Sequence, residues 1–157
     1  IAFEKENLNT FSIEFASIIN ECCSLINGFC FELCQSANPT GKKFTIKEYK
    51  KYIVNNFQKE ELVYCGKFIL QPWEKLITHP INETSSNPLW WDIYNSIKHS
   101  GKSHFVNATL KNTISCMAGM FDLLVMYDYN KCGLTMCNWK GIFRNAGNYR
   151  KFVSWEC

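Results

Sequence analysis

Two long stretches of this chain repeat their apolar residues every three or four positions, and that spacing restricts the fold more than any other feature. Between about Thr10 and Gln35, the residues Phe15, Ile18, Cys22, Leu25, Phe29 and Leu33 recur at helical pitch and would form one apolar face. Between about Ser103 and Tyr129, Leu110, Ile114, Met117, Phe121 and Leu124 do the same. A helix with one apolar face needs a partner to cover it, so the two stretches predict helix-on-helix packing. Ser115, Ala118 and Gly119 in the second stretch are small enough to admit a close neighbour.

Shorter elements lie between them. Pro39 and Gly41 interrupt the first helix, and Thr45-Ile46-Lys47-Glu48 is a capping-box pattern opening a short helix to about Asn55, with a lysine-rich exposed face. "ELVYCGKFILQPW" is rich in β-formers and reads as extended or strand-like up to Pro72, with a short helix as the alternative. "ITHPINETSSNP" is loop by its prolines and small polar residues, and His79 falls in it. Asn87-Pro88 combines an N-cap with a proline at the first helical position, and the helix it opens stops at Ser100-Gly101. Past Asn130, glycines and aromatics follow no clear period, and partial helix is expected. The sum is an all-α bundle of four to five helices with two long antiparallel helices, a single domain over residues 1–157. The opening "IAFEKENLNTFS" has neither an initiating Met nor the apolar run of a signal peptide, a pattern that fits a piece of a longer chain.

Hydrophobic residues make up 46% of the chain and charged residues 20%, which excludes disorder and fibrous repeats. The net charge of +3 permits an RNA partner without demanding one. "GMFDLLVMYDY" is cut by Asp122 and Asp128 and is too short an apolar run to span a bilayer, so the expectation is a cytoplasmic protein with no membrane partner.

Nine cysteines and the sequons at Asn82 and Asn107 raise the alternative of a secreted disulfide scaffold. Disulfide scaffolds are small and loop-rich, whereas this chain has two long helical stretches, and Asn107 falls inside the second of them as predicted. Reduced thiols are therefore expected. Cys23, Cys30 and Cys34 share a helix face with Ile19 and Ile26, and without a CxxC or a second ligand pair they read as core residues. No metal and no cofactor is expected.

Chemistry concentrates in "NPLWWDIYNSIKHSGK", residues 87–102. On a helix Asn95 and His99 stand one turn apart on a shared face, and Lys98 follows Tyr94 by one turn. An imidazole, an amide and an ammonium together suit a phosphodiester: one group moves the proton, the others hold the phosphate and its developing charge. The same residues also read as a polar network, with Trp90 and Tyr94 packed inward and Asn95 and His99 bonded across to Asn107 or Lys111. His104 reads as a helix-start residue.

The segment Tyr94-Asn95-Ser96-Ile97-Lys98-His99 resembles the motif of the HEPN superfamily, small helical bundles of bacterial defence and toxin systems. Its members carry Arg, a polar residue that is often Asn, three variable residues and His. The likeness runs on from "NPLWWDIYNSIKH" through Phe105, Ala108, Leu110 and Asn112 into the second long helix. The resemblance implies a homodimer whose motif helices meet in a composite cleft and cleave RNA without a metal, in a defence or toxin–antitoxin setting with an antitoxin or defence-system protein as partner. It makes His99 the catalytic histidine and Asn95 its supporting polar residue. Tyr94 stands where the phosphate-binding Arg belongs, and a neutral phenol cannot replace a guanidinium fork. Substrate binding then rests on Tyr94 with Lys98 or Lys102 supplying the charge, or else the domain binds a protein, a nucleotide or nucleic acid without cutting it.

Overall fold

The computed structural model describes residues 4–41, 43–56, 63–65, 68–79, 87–100, 105–132 and 143–145. Among the described residues five α-helices carry the architecture: α1 (Ile13–Ala37), α2 (Ile46–Asn56), α3 (Glu74–Thr78), α4 (Leu89–Ser100) and α5 (Leu110–Cys132). Three short strands, β1 (Val63–Cys65), β2 (Phe68–Leu70) and β3 (Phe143–Asn145), form an antiparallel sheet in the order β2-β1-β3. The chain is thus a mostly helical bundle with a small sheet against it. Among the described residues no helix is long and apolar enough to cross a membrane.

Helix α1 begins where Ser12, in extended backbone, accepts the Phe15 N–H on its hydroxyl at 3.1 Å, the N-cap arrangement that satisfies an orphan donor. Its buried face is Ala16, Ile19, Cys22, Cys23, Ile26, Cys30, Leu33 and Cys34. This is the face on which the cysteines were expected as core beside Ile19 and Ile26, and Cys22 and Leu33 of the large apolar stripe join it; Phe15, Ile18 and Phe29 only flank the core, and Leu25 is 52% exposed. Ile19, Ile26 and Leu33 are interspersed there with four cysteines and Ala16, and the bulkier Phe rings cover the margins of the contact.

The sense of the long pair corrects the antiparallel expectation. Phe11 bridges to Thr109, which puts the starts of α1 and α5 side by side. Phe15 packs with Leu110 and Ile114, and eight residues on Cys23 meets Cys116, so the two helices run from a shared end in the same sense. Only helices joined by a short loop must reverse, and α2, α3 and α4 intervene here. Helix α4 also packs on α5, where its Trp90 lies against Gly119.

Helix α5 starts at Leu110, later than its apolar period predicts. Phe105–Asn107 form a 3-10 turn instead, and Thr109 accepts the Asn112 N–H on its hydroxyl at 3.3 Å. The N-terminal segment completes this helix start, because the Leu110 and Lys111 N–H groups donate to the carbonyls of Thr10 and Leu8 at 2.8 and 2.9 Å. Asn107 is consequently exposed and outside the helix, contrary to the expected position.

The capping box on α2 forms as predicted: the Glu48 carboxylate accepts both the Thr45 N–H, at 2.7 Å, and the Thr45 hydroxyl. The β-leaning stretch becomes the β1–β2 hairpin, with Val63 opposite Leu70 and Cys65 opposite Phe68. Alternation turns Val63 and Cys65 onto α5, where they meet Ala118, Phe121 and Val125, and Leu110 and Ile114, respectively. Ile69 faces away and is exposed.

Candidate functional site

Helix α4 carries the candidate site, and its inner face determines how that site is held. Trp90, Trp91, Ile93 and Tyr94 are buried. Trp90 donates its indole N–H to the Pro72 carbonyl at 3.2 Å, and its ring meets that of Trp73 edge-on, with centroids 5.1 Å apart. Trp73 in turn donates to the Gly119 carbonyl at 3.2 Å. Two indoles bonded to backbone at a fixed angle leave α4 little freedom to rotate or slide. Trp91 continues the row to Tyr94, with ring centroids 5.7 Å apart.

Asn87 does not cap the helix in the way its type suggests. Its side-chain N–H donates to the Asp92 carboxylate at 2.7 Å, its Oδ1 has no hydrogen-bond partner among the described residues, and the Pro88 carbonyl takes the first helical bonds from Trp91 and Asp92.

Outward from the indoles, the polar residues of the motif occupy the last turns of α4. Tyr94 is buried beside Trp91, and the Lys98 ammonium stands over the Tyr94 ring, 5.6 Å from its centroid. A cation is thereby held against the ring that occupies the arginine position of the resembling motif. Asn95 is half-buried, and Lys98 and His99 are exposed. The structure brings Tyr94, Asn95, Lys98 and His99 together on one helix end; Lys102 and His104 lie outside the described residues. Among the described residues no hydrogen bond joins Asn95 or His99 to Asn107 or Lys111; the Asn107 carbonyl accepts the Asn112 side-chain amide at 2.9 Å, and the Lys111 backbone N–H goes to Leu8. His79 sits just past α3, hydrogen-bonded through Nδ1 to Thr78 and the Lys75 carbonyl, away from the motif in sequence and in bonding.

One polar residue near this helix was not singled out by the motif. Lys50 lies on the lysine-rich α2, yet unlike the exposed Lys47 and Lys51 it is buried. Burial pushes the pKa of its ammonium down, the charge of Asp92 on α4 opposes that shift, and Lys47 adds to it. The signal was available, since Ile46, Tyr49, Lys50 and Ile53 fall at positions of one helical face.

The cysteines supply the core. Cys22, Cys23, Cys30, Cys34, Cys65 and Cys116 are buried free thiols. Burial and the charge of Cys34 hold the Cys30 thiol above its ordinary range, and burial does the same for Cys65. Among the described residues no three His, Cys, Asp or Glu side chains converge to hold a metal ion.

Neither a family model nor a curated protein nor a solved structure matches the chain. The functional reading therefore rests on the motif and on the surface that α4 presents.

Proposed function

We infer that this chain is a HEPN-like helical domain that cleaves single-stranded RNA without a metal, as a homodimer in a bacterial defence or toxin–antitoxin setting. The observation that carries the reading is the accessible end of α4, where His99 and Lys98 reach solvent beside Asn95 while the tryptophans behind them hold the helix in place. His99 removes the 2′-hydroxyl proton, the freed oxygen attacks the adjacent phosphorus, and a second imidazole protonates the leaving 5′-oxygen. One chain offers one such histidine on this helix, so the acid comes from the His99 of a second copy across the dimer cleft. Asn95 donates its amide N–H to a phosphoryl oxygen, and the Lys98 ammonium, seated over Tyr94, supplies positive charge in place of the arginine.

The test uses purified protein in EDTA with single-stranded RNA. Cleavage that leaves 2′,3′-cyclic phosphate ends, lost in His99→Ala with unchanged thermal stability, supports the reading; equal cleavage by the variant removes His99 from it.

A second reading is favoured by the burial of Tyr94, whose phenol sits against Trp91 rather than reaching outward. In that case the same surface binds a nucleotide, a nucleic acid or a protein partner without cutting. Wild-type protein that retains RNA and leaves it intact, and that releases it when Lys98 is replaced by Ala, supports this second reading over cleavage.

A further inference from the structure

The two long helices carry cysteines toward one another in the core. Cys23 on α1 and Cys116 on α5 are both fully buried, and their Sγ atoms lie 3.6 Å apart across the helix interface. The Cys116 sulfur also stands 3.9 Å from the Ile19 carbonyl oxygen, and Cys22 approaches it from the neighbouring position on α1. A disulfide sets its sulfurs about 2.05 Å apart, so closing this one draws the two thiols about 1.5 Å nearer than their present 3.6 Å.

We propose that Cys23 and Cys116 form a site of oxidative modification, at which a small-molecule disulfide such as oxidised glutathione drives closure of a cross-helix disulfide that staples α1 to α5. Both sulfurs are sealed from solvent, so reaction follows a local opening of the helix interface rather than direct attack on the closed bundle. In the opened state one cysteine loses its proton and attacks the glutathione disulfide. A mixed disulfide forms, and one glutathione leaves as a thiolate that takes up that proton. The second cysteine, losing its own proton, attacks the protein sulfur of the mixed disulfide; the Cys23–Cys116 bond forms and the second glutathione departs as a thiol. The two electrons lost by the protein reside in the two glutathione thiols.

The consequence is mechanical. The two residues are 93 positions apart, so the link would tie a long loop of the unfolded chain, and for a domain of this size it should raise Tm by about 5–15 °C. It would also fix α5, against which α4 packs through Trp90.

The full chain is equilibrated with oxidised and reduced glutathione, quenched in acid, alkylated and peptide-mapped, and its thermal unfolding is followed alongside. The expected result is a linked peptide pair containing Cys23 and Cys116 together with the rise in Tm. Cys23→Ser should lose both, and Cys22→Ser should keep both. Glutathione adducts without a linked pair, a link that runs through Cys22, or a linked protein with unchanged Tm overturns the proposal. Mapping the wild-type chain keeps the test decisive even if Cys23→Ser fails to fold.

Discussion

Trp90 occupies the space that a side chain at Gly119 would need: its Cζ2 atom lies 2.9 Å from where a Cβ would stand, and its Cε2 lies at 3.4 Å. The contact lets α4 approach the backbone of α5, and the Pro72 carbonyl holds the indole there by its N–H. It links the motif helix to α5, and it makes a test of how the candidate site is supported.

Gly119→Ala should destabilise the protein by about 1–3 kcal/mol, since a ring bonded to backbone cannot retreat cheaply and overpacking outweighs the gain in helix propensity. Gly28→Ala on α1, where nothing lies within 4 Å of a new Cβ, should instead stabilise by about 1 kcal/mol. Chemical denaturation of the two variants checks the pair, and equal effects would show that α4 and α5 do not meet through Trp90.

Exposure of the α4 end predicts a separation between activity and stability. His99→Ala should change unfolding free energy by no more than about 0.5 kcal/mol, because the ring is exposed and bonded to no described residue. Tyr94→Ala, which empties a buried site beside Trp91, should cost about 3 kcal/mol or more. Thermal unfolding distinguishes the two, and a large loss for His99→Ala would mean that the imidazole is structural.

Backbone pairing between the chain's first residues and α5 predicts protection where helix starts are usually open. The Leu110 and Lys111 amides, bonded to Thr10 and Leu8, should exchange hydrogen slowly although they lie in the first turn. Deleting residues 1–9 should restore fast exchange at Lys111. Fast exchange in the intact chain would contradict the pairing.

The α2 capping box predicts a dependence on acid. Hydrogen bonds from the Thr45 side chain and backbone hold the Glu48 carboxyl below its ordinary pKa, with burial opposing and Lys51 assisting. A depressed folded-state pKa means that the unfolded chain binds the proton more readily, so this contribution is full above the ordinary glutamate range and fades as pH falls through the folded-state value. Glu48→Gln, which keeps the hydrogen-bond acceptor and cannot titrate, should flatten that part of the stability profile as pH falls through and below the ordinary glutamate range. Superimposable acid profiles for the two proteins would count against it.

Much of this was legible before any tertiary structure. The capping box at Thr45, the helix over the motif and the β character of the stretch around Val63 all follow from short-range chemistry, which acts within a turn or a hairpin. The helix faces were legible in part: the face with Ile19, Cys23, Ile26, Cys30 and Cys34 reads as core from the sequence and is buried, whereas Phe15 and Leu25, which the apolar period also selects, lie at its margin or in solvent. Lys50 escaped notice for the converse reason: its charge suggests solvent, and its position on α2 beside Tyr49 and Ile53 overrides that.

Local spacing by itself determined that the chain forms helices, roughly where they start, and that Asn95 and His99 stand one turn apart. Only the tertiary structure decided that the long helices run in the same sense, that Tyr94 turns inward while Lys98 and His99 stay outside, and that Cys23 meets Cys116. Periodicity acts over a few residues and fixes which side chains share a face. Which face meets which depends on contacts between elements tens of residues apart, and those follow from how whole surfaces fit rather than from any local pattern.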